Sequence, residues 1–195
     1  STLIARQYEP AATRQVVIAL NADTFEHNWE GYDPVVLERA VSVAGSVAVA
    51  MLDDRFGVGL VSNGSFPLAD RPIVIPPGRG PAQATRILEA LAAVQPLTLK
   101  PLTETLAAAG PSIPSGSTVL AITGLVTSPF LGSLLRLRDA GHRVVIAWVA
   151  DASPPAETGG LPLLHLAGAL RRIGGEAPTS QSEPTPTRGL VGARP

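Results

Sequence analysis

Residues 15–20 read Gln-Val-Val-Ile-Ala-Leu, a short continuous apolar run rich in β-branched side chains. A run without polar alternation predicts a strand covered on both faces, as in the middle of a parallel sheet. Asp33-Pro34 then offers a capping side chain followed by proline, placed where the first helical N–H has no partner anyway. Val36, Leu37, Ala40, Val41, Ala44, Val47, Ala48 and Met51 recur at helical spacing beyond it. Together these predict a helix over 34–52 whose second half, apolar nearly all round, is expected to be largely buried.

The pattern continues in the same alternating way. Residues 56–62 read as a second strand, Asn63-Gly64 as a hairpin turn, and 73–75 as its antiparallel partner. A helix over 81–94 carries Ala84, Ile87, Leu88, Leu91 and Ala92 on one face, and a shorter one over 103–109 is broken by Gly110-Pro111. A strand at 117–123, a helix at 129–140 closed by Gly141, and a strand at 143–149 follow, the last placing Trp148 in the core. A short strand at 161–166 and a helical turn at 169–173 end the periodic part, and residues 176–195 turn to Pro, Thr, Ser and Gly and read as a disordered tail. The chain thus divides into a lead-in at 1–14 from an upstream region, a domain at 15–175 and the tail. Strand and helix alternation predicts an α/β fold: a three-layer, Rossmann-like, mostly parallel sheet with one antiparallel edge strand. In such sheets ligands sit beyond the carboxyl ends of the central strands.

Composition narrows the function. Fifteen basic and sixteen acidic side chains in 195 residues leave a net charge of -1, without the concentrated cations a nucleic-acid groove needs, so no nucleic-acid partner is expected. The absence of cysteine removes disulfides, thiolate catalysis and thiolate metal sites. The longest charge-free apolar stretch, 40–52, is shorter than the ~20 residues that span a bilayer, so this segment is expected not to cross a membrane itself. Neither a Gly-x-Ser-x-Gly elbow nor a Gly-x-x-x-x-Gly-Lys-Ser/Thr phosphate loop occurs, which argues against an enzyme and leaves no catalytic residue or cofactor to assign.

The loop after the first strand, 21–33, concentrates the remaining signal. With only two Trp, two Tyr and four Phe in the chain, it holds Phe25, Trp29 and Tyr32. Aromatics on a loop either plug the core or anchor a partner, and Phe25 is assigned to the first role, Trp29 to the second. His27, among Glu26, Asn28 and Glu30, lacks the second histidine a zinc site needs and reads as a polar loop residue.

Ala5-Arg6-Gln7-Tyr8-Glu9-Pro10, Phe25-Glu26-His27-Asn28-Trp29-Glu30-Gly31, Pro76-Pro77-Gly78-Arg79-Gly80 and Ala140-Gly141-His142-Arg143 come in an order and spacing that resembles the bacterial domain-of-unknown-function family 58. The resembling part is the von Willebrand A-like C-terminal portion, over about residues 1–173. The resemblance implies a parent anchored in the bacterial inner membrane with this domain on the cytoplasmic face, often encoded beside a MoxR-type AAA+ ATPase. It also implies a place for a divalent ion, held in von Willebrand A domains by an Asp-x-Ser-x-Ser motif, a threonine and a later aspartate. On this sequence those places fall on Asn21, Asp23 and Phe25, on Thr103 or nearby Pro101, and on Gly124. Hard cations want oxygen ligands, carboxylates among them, and here Asn21 is neutral, Phe25 has no oxygen and Gly124 has no side chain. No metal is therefore expected. The expected function is a non-enzymatic protein-interaction module with a degenerate metal site, its partner-binding edge formed by Thr24, His27, Trp29, Tyr32 and Thr123. The alternatives are a Mg²⁺- or Mn²⁺-dependent ligand-binding domain using Asp23 with threonines, and an enzyme with an unfamiliar site.

Overall fold

The computed structural model describes residues 14–66, 69–98 and 100–174, so the lead-in before Arg14 and the tail at 176–195 lie outside the described residues. Strands β1 (Gln15–Leu20), β2 (Gly57–Phe66), β3 (Ala69–Gly78), β4 (Gln95–Thr98), β5 (Thr118–Thr123), β6 (Arg143–Trp148) and β7 (Leu163–His165) alternate with helices α1 (Pro34–Asp53), α2 (Pro81–Ala92), α3 (Leu102–Ala109), α4 (Ser128–Asp139) and α5 (Ala167–Gly174). They form one seven-stranded sheet in the order β3-β2-β1-β5-β6-β7, with β4 pairing on β2. β1 runs parallel to both β2 and β5, matching Ile18 with Leu60 on one side and Leu120 on the other. β3 is the antiparallel edge. This is the expected three-layer, Rossmann-like α/β architecture.

The unbroken apolar run of β1 is explained by its two covered faces. Val16, Ile18 and Leu20 join one core with Ala40, Ala44, Leu60 and Ile87 under α1 and α2. Val17 and Ala19 join the other with Leu102, Leu106, Phe130 and Leu134 under α3 and α4. Alternate side chains of a strand point to opposite faces, so a central strand must be apolar at every position. Each fully buried Val, Leu or Ile contributes about 1.5–3 kcal/mol. Trp148 is buried as expected, and its indole Nε1 donates to the Ala152 carbonyl at 2.9 Å.

Several expectations are corrected. Asn63-Gly64 is no turn: β2 runs through it to Phe66, and Asn63 is 2% exposed. Gly64 is required there because a Cβ would lie 2.5 Å from Val94 Cγ2 and 3.1 Å from the Gln95 carbonyl, where β4 crosses β2. β4 itself is absent from the sequence pattern, and it adds a second, short antiparallel pairing. The second half of α1 is not largely buried: Ala44 and Ala48 face the core, while Val49 and Ala50 face solvent. A helix in an outer layer has the sheet on one side only, and α2 covers just one flank. By length and composition α1 is apolar enough to cross a membrane, yet Val36, Leu37, Ala40, Val43, Ala44 and Ala48 pack it on the sheet as a core helix.

Candidate functional site

The carboxyl ends of β1, β2 and β5 bring together Asn21, Asn63 and Thr123, three polar side chains that are nearly fully buried. The Asn21 backbone N–H continues the sheet ladder to the Ile122 carbonyl. Its side-chain Nδ2 donates to Thr123 Oγ1 at 3.1 Å, and its Oδ1 accepts the Asp23 N–H at 3.2 Å. Thr123 Oγ1 in turn donates to the Leu125 carbonyl and accepts the Leu125 N–H at 3.0 Å. Asn63 reaches across from β2, its Oδ1 accepting the Ala22 N–H at 2.9 Å and its Nδ2 donating to Asp23 Oδ2 at 2.8 Å. The other Asp23 oxygen accepts the Thr98 hydroxyl at 2.7 Å. Buried polar groups must be satisfied within the protein, and here the network satisfies them while tying four strands to the base of one loop.

That geometry does not fit a divalent ion. Asn21 presents an N–H donor toward Thr123 where a cation would want an anionic oxygen, and both Asp23 oxygens are already engaged. Phe25 supplies no oxygen. Gly124 has no room for one: a Cβ there would overlap Val36 Cγ1, so the N-terminal turn of α1 fills the place of a side chain. Among the described residues no group of three or more His, Cys, Asp or Glu side chains is placed to hold a metal. Thr103, the threonine indicated by the resemblance, only walls the neighbouring cavity, while Thr98 makes the bond to Asp23. Sequence reasoning misses Asn63 and Thr98. A polar pair inside the apolar run of β2 is the available signal for Asn63, and nothing marks Thr98.

The loop is fixed at its far end too. Thr24 Oγ1 accepts the Asp33 N–H at 2.7 Å, and Asp33 Oδ1 caps α1 by accepting from Val35 N at 2.9 Å and Val36 N at 3.1 Å. Between these anchors a 3-10 turn, Asn28–Glu30, projects Trp29 outward, 81% exposed. The His27 ring stacks on Trp29 with centroids 4.2 Å apart, and the His27 N–H donates to Glu30 Oε2 at 3.1 Å. Tyr32 is exposed as well. Phe25, assigned to the core from sequence, is 41% exposed and borders three cavities. The loop is tied down on either side of Phe25, at Ala22 and Asp23 and again between Thr24 and Asp33, and holds its ring at the rim of cavities lined in part by charged side chains.

One of those cavities, of about 340 Å³, lies between the β1–α1 loop and the first turns of α3 and α4. A second, of about 620 Å³, lies between α1 and α5, where Asp151 pairs with Arg39 at 3.0 Å and also with Arg171.

No family model and no curated protein matches the chain. Among solved structures it is similar in fold to the pilus adhesin SpaC from Lactobacillus rhamnosus GG, at 13% identity and a TM-score of 0.46 over 73% of this chain and 25% of that one. A similar likeness holds for an aerotolerance-related membrane protein from Bacteroides fragilis, at 15% identity and a TM-score of 0.48 over 84% and 87% of the two chains. Proximal thread matrix protein 1 of the mussel byssus matches at 9% identity and a TM-score of 0.48 over 83% and 47%. The chain thus spans a quarter of the adhesin and about half of the byssus protein.

Proposed function

We propose that this domain is a non-enzymatic protein-interaction module of von Willebrand A type with a degenerate metal-ion-dependent adhesion site, and that the edge bearing the 21–33 loop is its partner-binding face. The observation that carries this reading is Trp29, 81% exposed on a loop whose two ends are held by buried or capping hydrogen bonds. Interfaces draw most of their energy from a few aromatic anchors, and an anchor presented from a fixed base loses little conformational freedom on binding. The setting, a membrane-anchored bacterial parent with this domain on the cytoplasmic side and a MoxR-type AAA+ ATPase as partner, rests on the sequence resemblance.

The test compares Trp29→Ala with wild type for folding stability and for affinity toward the purified MoxR-type ATPase encoded beside the parent. Removing so exposed a side chain should change stability by no more than about 0.5 kcal/mol. Affinity should fall at least about tenfold, the loss of a hot-spot residue. A collapse of stability with unimpaired capture by the folded fraction would make Trp29 a structural plug and sink the assignment.

A further inference from the structure

Lys100, the chain's sole lysine, and Glu26 both line the 340 Å³ cavity between the β1–α1 loop and the first turns of α3 and α4. They approach it from different segments, Glu26 from the loop after β1 and Lys100 from the connection before α3. Neither has an ion-pair partner among the described residues, so two opposite charges share one concavity without joining in a salt bridge. The third charge on the wall, Asp23, is satisfied internally, with one oxygen on Asn63 and the other on Thr98. Phe25, Leu102, Leu125 and Phe130 give the cavity apolar walls, and Thr103 and Thr127 add hydroxyls. A simple anion would meet Glu26 and Asp23 as well as Lys100, and a simple cation would meet Lys100. The complementary guest is dipolar.

Building on the interaction-module reading, we propose that this cavity receives a short segment of the partner protein carrying one acidic and one basic side chain, the acid placed at Lys100 and the base at Glu26. Charge complementarity of this kind selects a partner and its register more than it adds affinity. The apolar walls hold the aliphatic stems of the guest side chains.

The experiment follows backbone amide shifts of the full chain by NMR while adding the peptides acetyl-Glu-Ala-Lys-amide, acetyl-Gln-Ala-Lys-amide or acetyl-Glu-Ala-Gln-amide up to about 20 mM, a range suited to millimolar affinities. The doubly charged peptide should perturb the amides of Asn21, Asp23, Thr103 and Leu125, and should bind about twofold to fivefold more tightly than either singly charged one, as exposed charge pairs allow. Lys100→Met should abolish the preference for Glu over Gln and leave the preference for Lys over Gln intact. Glu26→Gln should do the converse, and both exposed substitutions should leave the melting temperature unchanged. Equal binding of all three peptides, no perturbation at the highest concentration, shifts confined to the Arg39 and Arg171 cleft, or indifference to Lys100→Met would each overturn the proposal. If Trp29→Ala abolishes capture of the ATPase while the peptides leave the cavity unperturbed, the interaction reading stands and this inference alone fails. Peptide binding with the charge preferences above, but without capture of the ATPase, would support the cavity as a recognition site and sink the ATPase as its partner.

Discussion

Asn63 offers the sharpest test of the network, because its amide is buried and both ends of it are used. In Asn63→Ala the Ala22 N–H, on a residue 1% exposed, loses its acceptor, and Asp23 Oδ2 loses a donor at 2.8 Å. Leaving a buried N–H unpaired costs about 1–3 kcal/mol, and a hydrogen bond to a charged group is worth about 1.5–3 kcal/mol. Water can reach the partly exposed Asp23 and recover much of the second contribution, so the expected loss is about 3 kcal/mol. With an m-value near 2 kcal/mol/M that moves the urea midpoint down by about 1.5 M. Asn63→Asp adds a second constraint: it keeps an acceptor for Ala22 but faces the Asp23 carboxylate with another carboxylate. Two carboxylates at that distance share a proton, which raises one folded-state pKa. The folded state then binds more protons than the unfolded chain, so stability rises as pH falls through that raised value. Urea melts of wild type and both variants between about pH 7 and pH 5 decide the matter. A loss below about 1 kcal/mol in Asn63→Ala, or no gain relative to wild type on acidifying Asn63→Asp, would refute the role given to Asn63 at this edge.

Calorimetric titration with Mg²⁺ or Mn²⁺ should give binding no tighter than millimolar, and a chelator should leave the melting temperature unchanged. Micromolar binding abolished by Asp23→Ala would restore the metal-dependent alternative. Gly124→Asp should create no ion site and should cost about 1–3 kcal/mol in a urea melt, the range for overpacking, because the new side chain must displace Val36. Asp33→Ala removes the cap on Val35 N and Val36 N and should cost about 1 kcal/mol by the same measurement.

The central strands are legible in the sequence because burial on both faces forces an unambiguous pattern: β1, β5 and β6 announce themselves as continuous apolar runs, and α1 by its Asp33-Pro34 start. Sequence and structure part where tertiary contacts override local preference. Asn63-Gly64 has the chemistry of a turn, but Asn63 spends its amide on Ala22 and Asp23, and Gly64 admits Val94. β4 contains Pro96 and is only four residues long, so it exists as a strand through its pairing with Gly64 and Ser65 of β2. Residue type alone puts Phe25 inside, whereas the loop holds its ring at the rim of cavities lined in part by charged side chains. Of the site, Asn21, Asp23 and Thr123 can be read from their positions at strand ends. Asn63 and Thr98 cannot, since the bonds they make span 40 and 75 residues of sequence.

Asn21, Asp23 and Gly124 do the same kind of work at this edge. The Asn21 amide supplies an N–H that joins β1 to Thr123 on β5, and the Asp23 carboxylate bridges Asn63 on β2 and Thr98 on β4. Gly124 lets α1 approach the sheet closely enough for Val36 to pack. An ion would hold these same segments together through a shared charge and leave open coordination positions for a ligand. Hydrogen bonds do the first and not the second, because every bond is spent within the protein. On the proposed interaction reading, recognition at this edge falls to groups outside the network, namely the exposed aromatics of the loop and the charges of Glu26 and Lys100. A fixed base with a variable tip is the arrangement in which a loop can change its partner without endangering the fold.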